Sequence, residues 1–222
     1  MVEMVVSTLG TTSPRRMGRS PQFRGNVTWV TTDFTALPPG LPEPQDDGAT
    51  DHLPGMGMPA LTLDSSMGPV DLAELAAQRA VIYLYPKTGT PGEPLVAGWD
   101  EFPGARGCTP ESCGFRDHAA ELAALGARVA GLSGQTHAEQ VAFADRNRMP
   151  FPVIADPDLR LREALSLPTF ELHGVTYLRR LTLVAEGRAI VKAFYPVFPP
   201  DRHAAEVLGW LGRRGPLQAG SR

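Results

Sequence analysis

Cys108 and Cys113, the only thiols in the chain, stand five residues apart in Gly107-Cys108-Thr109-Pro110-Glu111-Ser112-Cys113-Gly114-Phe115-Arg116-Asp117. The stretch reads as a turn entering a helix. Thr109 is a capping residue, Pro110 suits the first helical position, and Glu111 puts negative charge in the first turn. Phe115, Ala119, Leu122 and Leu125 then follow the spacing of a buried helical stripe, which Gly126 stops. Cys108 is therefore expected at or just before a helix N-terminus. Free backbone N–H groups and the positive end of the macrodipole favour an anion there. A thiolate is an anion, so the position predicts a lowered thiol pKa and a reactive sulfur. Arg106 and Arg116 lie close in sequence and add positive charge. The alternative is a small buried hydrophobe that happens to be cysteine, and the frame of Gly, Thr and Pro speaks against it.

The spacing adds a constraint. On an intact helix, positions i and i+5 lie about 140° apart around the axis and about 7.5 Å along it. A disulfide wants Cα atoms within about 7 Å and converging Cβ vectors. The pair can bridge only if the first turn is never helical or unwinds. A permanent staple has no use for such a rearrangement, whereas a redox cycle does. Cys-x-x-Cys, the dithiol spacing of thioredoxin-type exchange, is absent, which speaks against a general disulfide reductase.

The run from Gly107 to Asp117 resembles the active-site pattern Gly-Cys-Thr-x-x-x-Cys-x-Phe-Arg-Asp of the peroxiredoxin Q class, also called bacterioferritin comigratory protein. The resemblance spans roughly residues 58 to 212. It implies a thiol-dependent peroxidase acting on hydrogen peroxide or organic hydroperoxides. Cys108 would attack the peroxide and become a sulfenic acid. Cys113 would resolve it as a Cys108–Cys113 disulfide, which thioredoxin or a similar dithiol reduces. It further implies a monomer, with no metal or organic cofactor. Two other uses of the same pair are dithiol–disulfide exchange on proteins without peroxide, and a redox sensor or adaptor whose helix unwinds on oxidation.

Three more residues enter through the resemblance. Tyr85-Pro86-Lys87-Thr88-Gly89-Thr90-Pro91-Gly92 is similar to the loop that runs straight into the reactive cysteine in that class. Pro86 would shield the thiolate and Thr90 would donate a hydroxyl hydrogen bond near it. Here fifteen residues, 93–107, intervene. If they loop out, Thr90 returns to the site; if not, Ala105 stands three before Cys108 and the hydroxyl is missing. The inserted Leu95, Val96, Trp99 and Phe102 suggest either an apolar flap over the cysteine or a surface loop pinned by Trp99. Arg180, in Arg179-Arg180-Leu181-Thr182-Leu183, matches by position the arginine the class uses. Its permanent charge and directed donors suit both a thiolate and a peroxide. Arg179 faces the other way, since strand side chains alternate.

The elements that must position these residues follow from periodicity. Residues 60–63 read as a short strand and 70–77 as a short helical entry. Residues 81–85 are a nearly continuous apolar run, as in a central strand covered on both faces. Residues 128–132 and 151–155 make further strands. Thr136 to Glu139 is a capping box opening a helix to about Arg146, and Asp156-Pro157 caps a short helix to about Ala164. Runs 178–184 and 189–195 meet at Glu186-Gly187, a hairpin. Asp201 opens a last helix that Gly212 ends. This is an α/β pattern. With the resemblance it indicates a thioredoxin-like fold, a mixed sheet flanked by helices, with the site beyond the carboxyl end of the 81–85 strand.

Length and composition set the frame. The chain has 222 residues, 42% of them hydrophobic, with a formal charge of −3. That allows one domain with a substantial core and gives no sign of a nucleic-acid surface. No apolar run reaches transmembrane length. Two cysteines are too few for a disulfide framework or a cysteine-rich zinc site and suit a cytoplasmic redox protein. His52, His118, His137, His173 and His203 show no metal spacing. Residues 1–57 are expected to be a poorly ordered extension, basic at Arg15, Arg16, Arg19 and Arg24 and Pro-rich and acidic later. A transit peptide and an upstream start are the alternatives. The domain is expected over 58–212, with a flexible tail at 213–222.

Overall fold

The computed structural model describes residues 34–215. A short antiparallel pair, β1 (Thr62–Leu63) and β2 (Val70–Asp71), leads into one turn of helix, α1 (Leu72–Leu75), and the strand β3 (Arg79–Leu84). A long loop follows, with a 3-10 turn at Trp99–Glu101, and then α2 (Cys108–Asp117) and α3 (Ala119–Ala124). β4 (Ala127–Ser133), α4 (His137–Asn147), β5 (Val153–Ala155) and α5 (Arg160–Leu165) complete the first half. Two hairpins come next: β6 (Thr169–Leu172) with β7 (Val175–Leu178), then β8 (Leu181–Glu186) with β9 (Ala189–Phe194). α6 (His203–Arg214) ends the described chain.

The main sheet has the order β5-β4-β3-β8-β9. β3, β4 and β5 run parallel, while β8 is antiparallel to β3 and β9 to β8. It is a mixed sheet with helices on both faces, as expected. Every residue of β3 is buried, and its alternation divides the core. Ala80, Ile82 and Leu84 face one cluster with Leu72, Leu161 and Leu165. Val81, Tyr83 and Tyr85 face the other, with Phe115, Phe143 and Val207 from α2, α4 and α6. Tyr83 stacks on Phe115 with ring centroids 4.4 Å apart, which seats α2 on the sheet. The Cys108 helix is thus held from below by aromatic packing, each fully buried ring contributing about 1.5–3 kcal/mol.

Several local expectations are corrected. Thr109 is not the cap: Gly107 is, at φ 102°, and α2 starts at Cys108 itself. Only glycine fits there, because a Cβ would lie 2.4 Å from Pro200 Cγ and 2.8 Å from Leu37 Cδ2. The stripe from Phe115 to Leu125 bends at His118 into two helices, yet Phe115 and Leu122 both stay fully buried. Asp156 caps α5 from outside it, its carboxylate accepting the Arg160 and Leu161 N–H groups at 2.9 Å. α6 continues past Gly212 to Arg214, with Gly215 as its cap. The β6–β7 hairpin was not foreseen; the expected strand at 178 belongs to its second arm.

The domain also reaches back beyond the boundary at 58. Leu53 is fully buried in the core. Residues 55–58 bond along β9: Gly55 N–H to Ile190 O at 2.8 Å, Ile190 N–H to Met56 O at 2.8 Å and Met58 N–H to Arg188 O at 2.7 Å. An edge strand otherwise exposes unpaired backbone groups, and this pairing explains why the segment is ordered. The expectations for residues 1–33 and 216–222 lie outside the described residues.

Candidate active site

Cys108 opens α2, beyond the carboxyl end of β3, and is 3% exposed. Three groups reach its sulfur among the described residues. Arg180 Nη2 lies 3.1 Å away, the Lys87 backbone N–H donates to it, and its own thiol donates to Ala105 O at 3.5 Å. Arg180 immediately precedes β8 on the face that carries Thr182 and Val184, which is why it points under α2. Arg179 is turned away, donating to Thr169 O at 3.2 Å.

Arg180 is itself tightly held. Nη1 pairs with Glu111, and both side chains are at most 1% exposed. Nε donates to Gly104 O at 3.3 Å, and Nη2 also donates to Ala105 O at 3.3 Å and Arg106 O at 3.2 Å. The end of the inserted segment therefore presents three carbonyls to the guanidinium. The sequence reading assigned Glu111 only to the helix dipole. Its i, i+3 spacing from Cys108 was the signal that it shares a helix face with the sulfur.

The loop after β3 is fixed by the turn before α4 and by the first turn of α4. Thr88 donates its N–H and hydroxyl to Gln135 Oε1 at 2.8 and 2.9 Å, and Lys87 Nζ meets Glu139 Oε1 at 2.7 Å. Thr136 and Glu139 form the foreseen capping box. Pro86 is buried in this loop, directly before the Lys87 N–H, and lines a different depression with Gly134 and Tyr177. Thr90 returns to the cavity that Cys108 lines, so the inserted residues do loop out. The backbone N–H that reaches the sulfur is that of Lys87.

Segment 93–107 packs on the β6–β7 hairpin. Trp99 meets Tyr177 edge-on at 5.0 Å and Phe102 stacks on Phe170 at 3.9 Å. Leu95 and Val96 line the cavity at Cys108. Trp99 is thus the anchor of the segment, and Leu95 and Val96 give the cavity an apolar wall. Phe34, from before the core domain, also lines that cavity, and a Cβ on Gly89 would lie 2.2 Å from its ring.

The electrostatics differ from the sequence expectation. Burial pushes the Cys108 thiol above its ordinary value; the Arg180 charge opposes this, Glu111 adds to it, and the Lys87 N–H opposes it. The lowered pKa expected from the helix terminus is not what a buried sulfur gives, because desolvation penalises the anion more than the dipole favours it. Burial raises Glu111 as well, against Arg180 and His203. Its Oε1 has no hydrogen-bond partner among the described residues.

Cys113 lies 1.4 turns further along intact α2, half-buried, its sulfur 4.0 Å from Asn147 Oδ1. Burial raises its thiol and the Arg116 charge opposes that. Arg116 therefore serves the second cysteine rather than the first. Its Nη1 donates to Asn147 O at 3.0 Å, tying the second half of α2 to the end of α4. Both cysteines are free thiols. Among the described residues no cluster of three His, Cys, Asp or Glu is placed to hold a metal, and no helix is long and apolar enough to cross a membrane.

The sequence profile of the Redoxin family matches residues 53–208. The chain is 31% identical over 159 residues to chloroplastic peroxiredoxin Q of Sedum lineare, covering 71% of this chain and 76% of that one. Among solved structures, Peroxidoxin BcpB from Mycobacterium tuberculosis superposes with a TM-score of 0.59 at 26% identity, over 72% of this chain and 96% of that one. Peroxiredoxin Q of Xanthomonas campestris gives 0.56 at 25% identity, over 77% and 96%. A buried cysteine opening a helix under an arginine, on this sheet and with these relatives, places the chain in the redoxin family, as a peroxiredoxin of the Q class.

Proposed function

We propose that Cys108 is the peroxide-attacking thiol of a two-cysteine thiol peroxidase and Cys113 its resolving partner. The observation that carries this reading is the Arg180 guanidinium 3.1 Å from Cys108 Sγ, with a second free cysteine on the same helix. Peroxide entering the cavity meets the sulfur at the helix start. A bond forms between Sγ and the near peroxide oxygen as the O–O bond breaks. The thiol proton ends on the departing oxygen, so thiol plus ROOH gives sulfenic acid plus ROH. Arg180 stabilises negative charge first on sulfur and then on the leaving oxygen. Pro86 holds the turn that aims the Lys87 N–H, and Thr90 offers a hydroxyl on the cavity wall.

In the second stage the first turns of α2 unwind and Cys113 sulfur displaces water from the sulfenic acid, giving a disulfide. A dithiol such as thioredoxin restores both thiols by exchange and is itself oxidised. The protein acts as a monomer in the cytoplasm, where thiols are kept reduced. The test is peroxide-dependent oxidation of reduced thioredoxin. Wild type turns over and Cys108→Ser does not. A Cys108→Ser protein that still turns over with thioredoxin overturns the assignment.

A further inference from the structure

Cys113 has a seat of its own, at the seam between α2 and the end of α4. Its sulfur lies 4.0 Å from Asn147 Oδ1, and that amide is locked in this orientation because Nδ2 donates to Phe143 O at 2.8 Å. Asn147 O accepts from Arg116 Nη1 at 3.0 Å, and Arg116 Nε donates to Asp117 Oδ1 at 2.8 Å. The guanidinium so held also donates to the Cys113 sulfur. Residues 113 and 116 are i and i+3 on one helix face, which places them side by side.

This seat stays in place when the start of the helix melts. Phe115, between Cys113 and Arg116, is fully buried and stacks on Tyr83 at 4.4 Å. The turns that must unwind to bring the sulfurs together precede it. The species that attacks a sulfenic acid is a thiolate, and a half-buried thiol needs a nearby positive charge to supply one. Among the described residues, the charges acting on Cys113 are those of Arg116 and Asp117. β3 brings the Tyr83 hydroxyl, which burial keeps protonated, and α4 brings the uncharged Asn147. α6 meets the helix at Gly114 through Ala204, and on α3 His118 and Glu121 pair with each other. Asp117 is 64% exposed against 32% for Arg116, so water screens the carboxylate more and the guanidinium prevails.

We propose that Arg116 holds Cys113 as the attacking thiolate in the resolving step, with Asn147 as the fixed seat of the resting thiol. The proposal rests on the peroxidase reading above. The Cys113 sulfur gives an electron pair to Cys108 Sγ, the S–S bond forms and the S–O bond breaks. The departing hydroxide takes up the proton that Cys113 gave away and leaves as water.

The test follows disulfide formation against pH after one equivalent of hydrogen peroxide. Rapid quench with thiol alkylation and mass spectrometry counts Cys108 sulfenic acid and the disulfide separately at each time, which isolates the second step. Arg116→Gln keeps a donor for Asn147 O but no charge, and raises the midpoint of the profile by about one pH unit. Well below the midpoint the thiolate is about tenfold scarcer but about threefold more nucleophilic, so the variant resolves about threefold more slowly; well above it the variant is about threefold faster. The two profiles therefore cross. Arg116→Lys keeps a charge and restores most of the neutral-pH rate. Asp117→Asn, a surface change that does not endanger the fold, moves the midpoint the opposite way, downward. Loss by one factor at every pH, a lysine variant that behaves as the glutamine one, an unmoved midpoint in Asp117→Asn, or a resolving rate indifferent to pH reduces Arg116 to a tether and overturns the proposal. A wild type that forms no Cys108–Cys113 disulfide at any pH overturns the peroxidase reading on which it rests.

Discussion

Arg180 Nη2 stands 3.1 Å from Cys108 Sγ in a site where both side chains are at most 3% exposed. The two come from opposite ends of the topology, the start of β8 and the start of α2, and meet because β8 pairs with β3. The guanidinium is held by Glu111 and by the carbonyls of residues 104–106. It cannot swing away without leaving several buried partners unpaired.

That relationship makes Arg180 the donor whose loss matters most to the first step. Arg180→Met should slow oxidation of Cys108 by hydrogen peroxide about a hundredfold, the usual cost of removing one preorganised donor. Arg180→Lys keeps a charge but not the planar fork, and should recover only part of the rate. Stopped-flow oxidation of the reduced proteins measures both.

The pH dependence follows from the direction of the thiol shift. Burial raises Cys108 above its ordinary thiol value of 9.0, with Arg180 opposing. The thiolate fraction therefore still grows as pH rises past neutrality, and the oxidation rate should climb through the alkaline range. Arg180→Met removes the opposing charge and should move the midpoint higher. A rate already flat at neutral pH contradicts this account of a buried thiol.

Resolution requires α2 to melt locally, and Gly114 lies between the helix's second turn and α6. An alanine there meets only Ala204 Cβ at 3.4 Å and Asp201 O at 3.7 Å, and gains about 0.5–1 kcal/mol of helix stability. Gly114→Ala should slow disulfide formation by about two- to fivefold without changing the peroxide step. Rapid quench with thiol alkylation separates the two rates.

Glu139 ties the Lys87 loop to acid stability. Burial works against its ionisation, but Lys87 and the N–H and hydroxyl of Thr136 more than offset it, lowering its pKa from 4.5 to about 2. A depressed folded value means the stabilisation is present above about pH 4.5 and is lost as pH falls toward 2. The carboxylate is 34% exposed, so solvent screening leaves about 1 kcal/mol. Glu139→Gln keeps the capping acceptor and should lose that amount at neutral pH, with the difference vanishing near pH 2 in urea titrations.

Much of this arrangement is legible in the sequence, and the misses have physical causes. The β3 run, the capping box at Thr136 and the cysteine motif are local signals. Arg180 needed a family resemblance, because nothing local says which of two adjacent arginines faces inward. That Gly107 rather than Thr109 is the cap, and that no side chain fits there, shows only in its neighbours Leu37 and Pro200, which are distant in sequence. The β6–β7 hairpin was missed because Val175 and Thr176 are exposed and lack a buried alternation. Its purpose, supporting segment 93–107, exists only in three dimensions. The lowered thiol pKa failed for the same reason: burial is a tertiary property.

The most direct measurement is mass spectrometry of the 108–113 peptide after one equivalent of peroxide. Wild type should show a Cys108–Cys113 disulfide, Cys113→Ser a sulfenic acid trapped at Cys108, and Cys108→Ser an unmodified Cys113. Sulfenic acid at Cys113 with Cys108 intact, or wild type left with two free thiols, contradicts the account.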